Sequence, residues 1–282
     1  MKEVHLLGQV RMPAQRIVSL APSLTETLLF LGLDSKVVGV TEQCNYPEEA
    51  RDREKVGSFV YPDLERVRRL KPDLVLALGQ IHSRFLDELR DYKVSVLVIN
   101  SKSVEGIFEG MEETTRLAGE EEQGRTLVSS LRKRVQMVQK RLKSQPPRVF
   151  RLMIDGTIGT PTRSSYQYDA IRLAGGNPLL LSHEKPYTSI PLEEVLSFDP
   201  EVIISCGRID GEKPQRRCPD CRVEKPPCLR TMEEIRNWEG WKMTSAVRDG
   251  RVYPIPCKFL CRPGPRLVEG IEWMSKIFQT EA

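Results

Sequence analysis

"LERVRRLKPDLVLALGQ", residues 64–80, has a counterpart further along the chain in "LEEVLSFDPEVIISCGR", residues 192–208. Both begin Leu-Glu-x-Val, as a helix start would. Both then carry a proline that stops the helix, an acidic residue, and an apolar run of strand length. A second pair keeps the same order: "RIVSL" from Arg16 is echoed by "RVFRL" from Arg148. Two echoes in sequence imply a repeated α/β unit. The expected fold class is therefore α/β: two Rossmann-like lobes with parallel sheets.

The stretch "RIVSLAPSLTETLLFLGLDSKVVGVT", residues 16–41, supplies the first unit in detail. Ile17–Leu20 has strand character. Ser23 and Glu26 have capping-box spacing, so a helix is expected from about Leu24 to Gly32. Val37–Val40 reads as the next strand. Between the lobes, Leu127, Val128, Leu131, Val135, Val138 and Leu142 recur at helical spacing. A helix over Glu120–Ser144 would be about 35 Å long, a stiff connector that allows small tilts and no wide hinge closure. The expected organisation is a first lobe over 1–118, a backbone helix over 119–145 and a second lobe over 146–282, with a cysteine-rich insertion at 206–230.

Composition narrows the function. The 282 residues are 39% hydrophobic and 29% charged, an ordinary globular balance. A net charge of +4 without a dense Lys/Arg block gives no case for nucleic acid as a partner. No apolar stretch is long enough to span a bilayer. The opening "MKEVHLLGQV" is charged and turn-like and lacks the pattern of a secretory leader. The expectation is a cytoplasmic protein if the chain is native as given, and an extracytoplasmic one if a leader was removed. Walker and G-x-G-x-x-G motifs are missing, and no Ser–His–Asp order has supporting context. The chain reads as a binding protein, not an enzyme, with a redox role open through a metal centre.

Further segments carry a resemblance. "RIVSLAPSLTETLLFLGL", "VVGVTEQCNYP", "KVGSFVYPDLERVRRLKPDLVLA" and "AVRDGRVYPI…RPGPRL" resemble the helical-backbone (class III) substrate-binding proteins of ABC importers, in particular the cobalamin-binding, BtuF-like branch. The resemblance runs from about Val4 to the final helix and omits the insertion. It implies a corrinoid such as cobalamin, or a related metal chelate, held between the lobes. It also implies an ABC permease as partner, docked through one glutamate per lobe, Glu65 and Glu193. By position it assigns the ligand site to Pro22, Ser23, Tyr46, Phe59, Tyr61 and the segment around Phe259. Siderophore and haem binders share the pattern. The chain is poor in tryptophan where the cobalamin binder stacks its ligand.

The seven cysteines are this chain's own feature, and six follow residue 205. Cys206 is expected at the carboxyl end of a strand, where open parallel sheets bind ligands. With Cys218, Cys221 and Cys228 it forms a C-x11-C-x2-C-x6-C set, with Cys257 and Cys261 as possible substitutes. Cys44 lies in the first lobe. Thiolates in this number point to a [4Fe–4S] iron–sulfur cluster, with zinc as the alternative and disulfides as the bland reading. Arg216, Arg217, Arg222 and Lys225 would offset thiolate charge. His5, His82 and His183 lack ligand spacing and read as solvated or core histidines. A rival function follows: a cytoplasmic iron–sulfur redox or corrinoid-handling protein on the same fold.

Overall fold

The computed structural model describes residues 3–10, 12–142, 144–154, 157–207 and 230–280. Its contacts divide the chain into two compact units. The first comprises Met1–Arg132 with Pro263–Pro265, and the second Lys133–Arg262 with Arg266–Ala282.

The first unit is built from β1 (Val4–Leu7), β2 (Ile17–Ser19), α1 (Pro22–Phe30), β3 (Val37–Val40), α2 (Leu64–Arg69), β4 (Leu74–Leu78), α3 (Gly79–His82), α4 (Leu86–Asp91), β5 (Ser95–Ile99) and α5 (Val104–Ala118). Its sheet runs β1-β5-β4-β2-β3. The four strands β2 to β5 are parallel, and Leu74–Leu78 and Ser95–Ile99 are the near-continuous apolar runs of strands covered on both faces. The opening residues, expected to be turn-like, instead pair antiparallel with β5, from Val4 opposite Ile99 to Leu7 opposite Val96. The expectation of a purely parallel sheet holds for the centre and is corrected at this edge.

Helix α1 starts earlier than the capping-box reading requires. Ala21 is its N-cap, without a side-chain cap, and Pro22 occupies the first helical position. Proline's fixed φ favours that position, so Ser23 and Glu26 fall inside the helix, where both are buried. Helix α2 keeps its expected place, with Asp63 accepting from the Arg66 N–H as cap.

The long helix α6 spans Glu121–Gln139, which at 1.5 Å per residue is about 28 Å. It stops short of the expected Ser144. Pro146 and Pro147 disfavour helix in the residues before them. Leu142, outside the helix, packs where a Cβ on Gly175 would stand. The division between units falls within α6.

The second unit continues with β6 (Arg148–Ile154), β7 (Ile158–Pro161), α7 (Tyr166–Leu173), β8 (Asn177–Pro178), β9 (Tyr187–Ser189), α8 (Leu192–Phe198) and β10 (Val202–Ser205). After the insertion come α9 (Met232–Arg236), α10 (Ser245–Arg248), β11 (Val252–Pro254), α11 (Cys257–Leu260) and α12 (Leu267–Gln279). The sheet runs β11-β10-β6-β7-β9, with β8 also on β6. Strands β11, β10 and β6 are parallel, whereas β7 and β9 extend the sheet antiparallel. The echo thus covers the parallel centre of each sheet and not its edges. Phe150, Ile203, Ile235 and Trp241 anchor the core beneath it. Thr231 caps α9 by accepting from the Glu234 N–H at 3.2 Å, as its sequence spacing predicts.

Candidate functional site

In the first unit, the expected ligand residues lie on segments that leave the carboxyl ends of the parallel strands. Pro22 and Ser23 follow β2 and are buried in the first turn of α1. The long segment after β3 carries Tyr46, Phe59 and Tyr61. Tyr46 is 45% and Tyr61 60% exposed, and Phe59 is half-buried. Exposed aromatic rings outside strand ends suit a large, mostly apolar ligand.

Two residues from beyond β4 brace this segment, and the aromatic pattern gave no hint of either. His82 is fully buried. The Leu78 N–H donates to its Nδ1 at 3.0 Å, and its Nε2 meets the Phe59 carbonyl at 2.8 Å. Since Nδ1 accepts, Nε2 carries the proton and donates. Burial holds the His82 pKa below the ordinary histidine value, although the Phe59 carbonyl opposes that effect. Arg84 donates to the Val60 carbonyl at 2.8 Å and lies 4.3 Å from the centre of the Tyr61 ring. Gln43 accepts from the Phe59 N–H at 2.7 Å. Cys44 proves to be a core thiol. It sits 3.0 Å from Thr25 Oγ1 and 3.2 Å from Thr41 Oγ1, and burial pushes its pKa up.

Glu65 and Glu193 occupy equivalent places. Each is the second residue of its helix, α2 or α8, and each is exposed. Glu65 accepts from Arg68 at 2.9 Å and from the Tyr92 hydroxyl at 3.1 Å.

In the second unit, Cys206 follows β10 directly, and just after β11 Cys257 opens α11 and Cys261 caps its end. Adjacent parallel strands therefore deliver three thiols to one place. Cys206 Sγ is 3.6 Å from Cys261 Sγ and 3.9 Å from Cys257 Sγ, and all three sulfurs lie within 4.8 Å of one another. Cys218, Cys221 and Cys228 lie outside the described residues. Among the described residues, Cys257 and Cys261, expected as possible substitutes, are gathered around Cys206. Phe259, in the same short helix, is half-buried, with Lys258 Nζ 4.9 Å from its ring centre.

The residue missed most completely is Arg151, in the middle of β6. It is 1% exposed. Its register partner on β10 is Ile204, two residues before Cys206. Nη1 donates to the Leu152 carbonyl at 2.7 Å, and Nη2 points at Cys206 Sγ (3.0 Å) and Cys261 Sγ (3.6 Å). A basic residue inside the buried strand "RVFRLMI" was the available signal. Burial alone would lower the Arg151 pKa, but the cysteines beside it raise it. Hydrogen bonds from Cys257 and Cys261, followed by the Arg151 charge, hold the Cys206 thiol well below the usual cysteine value. Cys261 is pushed up because it keeps its proton in the bond to Cys206. The arrangement favours a Cys206 thiolate facing the Arg151 guanidinium. Tyr166 and Tyr187 border the cluster, and burial raises both hydroxyls.

Two α/β units, each offering residues from the ends of its parallel strands and joined through a long helix, define a bilobed substrate-binding protein. The family described as periplasmic binding protein matches residues 17–258, and the chain belongs to it. A vitamin B12-binding protein of Vibrio cholerae is 27% identical over 263 residues, 92% of this chain and 87% of that protein. An uncharacterised ABC transporter substrate-binding lipoprotein of Bacillus subtilis is 27% identical over 276 residues, covering 95% of this chain and 81% of the lipoprotein. The crystal structure of the periplasmic vitamin B12 binding protein BtuF of Vibrio cholerae matches with a TM-score of 0.76 at 26% identity, covering 95% of this chain and 97% of that one.

Proposed function

We propose that the chain binds a corrinoid, or a closely related planar metal chelate, and presents it to an ABC permease. The observation that carries this reading is the match along 92% of the chain to a protein named for vitamin B12 binding. The braced aromatic segment of the first unit supports it: Phe59 and Tyr61 are held by His82 and Arg84 and offer apolar rings with polar edges to a macrocycle. Import duty would place the chain on the outer side of the membrane that holds the permease. Glu65 and Glu193 would then dock onto basic residues of that permease. Their equivalent, exposed first-turn positions support the pairing.

The test is a titration of the full chain with cyanocobalamin, cobinamide, haemin and a ferric siderophore, read by tryptophan fluorescence and calorimetry. Saturable binding of a corrinoid with at least tenfold preference over haemin and siderophore is the expected result, about 1.4 kcal/mol of discrimination. Preference for haemin or the siderophore overturns the corrinoid reading and keeps the binding-protein class. Docking is tested separately with Glu65→Ala plus Glu193→Ala. The double variant should bind chelate as before and lose binding to permease-containing vesicles.

A second reading is favoured by the thiol cluster. On the same fold, a cysteine-held metal centre, iron–sulfur or zinc, would make the chain a cytoplasmic redox or corrinoid-handling protein. Its partner would then be a soluble protein, and the glutamate double variant would have no phenotype.

A further inference from the structure

The geometry points to a mononuclear metal site formed by Cys206, Cys257 and Cys261, taking one thiophilic divalent ion, zinc in the first instance, with the buried Arg151 as its counter-charge. This deepens the cysteine-held centre of the second reading by naming its ligands and ion class. It is independent of the corrinoid and of any permease.

The first argument is distance. Zinc–thiolate bonds are about 2.3 Å, so two sulfurs on one tetrahedral ion stand about 3.8 Å apart. The separations of 3.6 and 3.9 Å bracket that edge, and the third stays within 4.8 Å. Thiolates of a cubane each bind a different iron and stand farther apart than the ligands of a single ion. The spacing thus selects one ion over a cluster for these three residues.

The second argument is charge. Arg151 is fully enclosed, and none of its hydrogen bonds or ion pairs among the described residues ends on a carboxylate. A buried cation without a counter-charge is strongly unfavourable. Here the sulfurs supply the negative charge. Three thiolates, one divalent ion and one guanidinium sum to zero, so the loaded site is neutral inside the lobe. A monovalent ion would leave one negative charge over.

The third argument is placement. Arg151, Cys206 and Cys257 come from the neighbouring strands β6, β10 and β11 or directly after them. The paired strands hold Arg151 and the segments that carry Cys206 and Cys257 close together, as rigid elements do for precise sites.

The experiment uses the full chain, chelated, reduced and reloaded with zinc. In a variant with Cys218, Cys221 and Cys228 all changed to Ser, about one zinc per chain should remain, with X-ray absorption showing three sulfurs at about 2.3 Å. In wild type, zinc should shield the Cys206, Cys257 and Cys261 peptides from N-ethylmaleimide, and chelator should expose them again. Cys261→Ser should abolish tight zinc binding while leaving the circular dichroism spectrum unchanged. If that variant fails to fold, the shielding pattern of the wild-type chain decides. Loss of zinc in the loop variant overturns the proposal. So does zinc retained by Cys261→Ser, or an iron–sulfur spectrum with about four irons on anaerobic purification. Corrinoid titration of the same samples reports on the binding-protein reading separately, so either can fail alone.

Discussion

Replacing Arg151 by Met probes the thiolate–guanidinium pair most directly. Methionine fills much of the volume without the charge, and the Cys206 thiol left behind can take up a proton instead of remaining an unpaired buried anion. The magnitude follows from the 3.0 Å contact between Nη2 and Cys206 Sγ. Guanidinium charge is spread over its nitrogens, so about 4 Å is a fair charge separation. At an effective dielectric of 20 this gives about 4 kcal/mol favouring the thiolate. Hydrogen bonds from Cys257 and Cys261 are the larger cause of the low Cys206 pKa and survive the change. The Cys206 pKa should therefore rise without fully reaching that of an isolated buried thiol. The assay is iodoacetamide alkylation of metal-free protein at several pH values, with each cysteine quantified by peptide mass spectrometry. Cys206 is part-buried, so a small reagent such as iodoacetamide is the one to use. In Arg151→Met the midpoint of the Cys206 rate profile should be displaced to higher pH, with slower alkylation on its acid side. Arg151→Lys should retain part of the effect. An unmoved midpoint, in a variant that melts normally, would refute the Arg151 charge as a contributor to the low Cys206 pKa.

Other expectations concern the scaffold. His82 has a lowered pKa, so its contribution to stability is complete above about pH 6.5 and is lost as pH falls through the folded-state value. Urea unfolding at pH 7.5, 6 and 5 should show a smaller loss for His82→Gln than for wild type; equal slopes would exclude His82 as the cause. Gly124, on α6, has its missing Cβ blocked by Thr115 of α5, whose hydroxyl is already bonded to the Glu112 carbonyl at 2.9 Å. Gly124→Ala gains about 1 kcal/mol of helix propensity and incurs about 1–3 kcal/mol or more of overpacking, so denaturant melts should show net destabilisation. A raised melting temperature would mean that the helices can separate freely. Asp199 ends α8 at φ 44° and accepts from both the N–H and the hydroxyl of Ser245 at 2.8 Å. Asp199→Ala should cost about 2–3 kcal/mol, whereas Asp199→Asn, which tolerates the left-handed backbone, should cost clearly less; the two variants melting alike would contradict this.

Much of the fold was legible because strand runs and helix stops are local signals. Val37–Val40 and Val202–Ser205 occupy the expected residues, and the echo at Leu64 and Leu192 marks equivalent helices. What failed depended on competition between local signals or on distant partners. Ser23 and Glu26 had capping spacing, but Pro22 fixed the helix start first. Val4–Leu7 has little strand signal until β5 supplies a partner. For the site, the position of Cys206 followed from its strand. The nearness of Cys257 and Cys261 did not, because the sheet brings them from more than fifty residues away. Arg151 was hidden for the same reason: the sulfurs that make its burial tolerable lie on other elements.

Strand β1 also has a bearing on solubility. With Val4–Leu7 in place, the first sheet does not end on β5, whose Ser95-Val-Leu-Val-Ile99 sequence is uncharged, β-branched and free of proline. Unzipped, that strand would offer a row of open amides and carbonyls on an apolar ribbon, the template from which chains stack edge to edge. Val4–Leu7 thus acts as a guard strip, and trimming it would leave β5 open to edge-to-edge association.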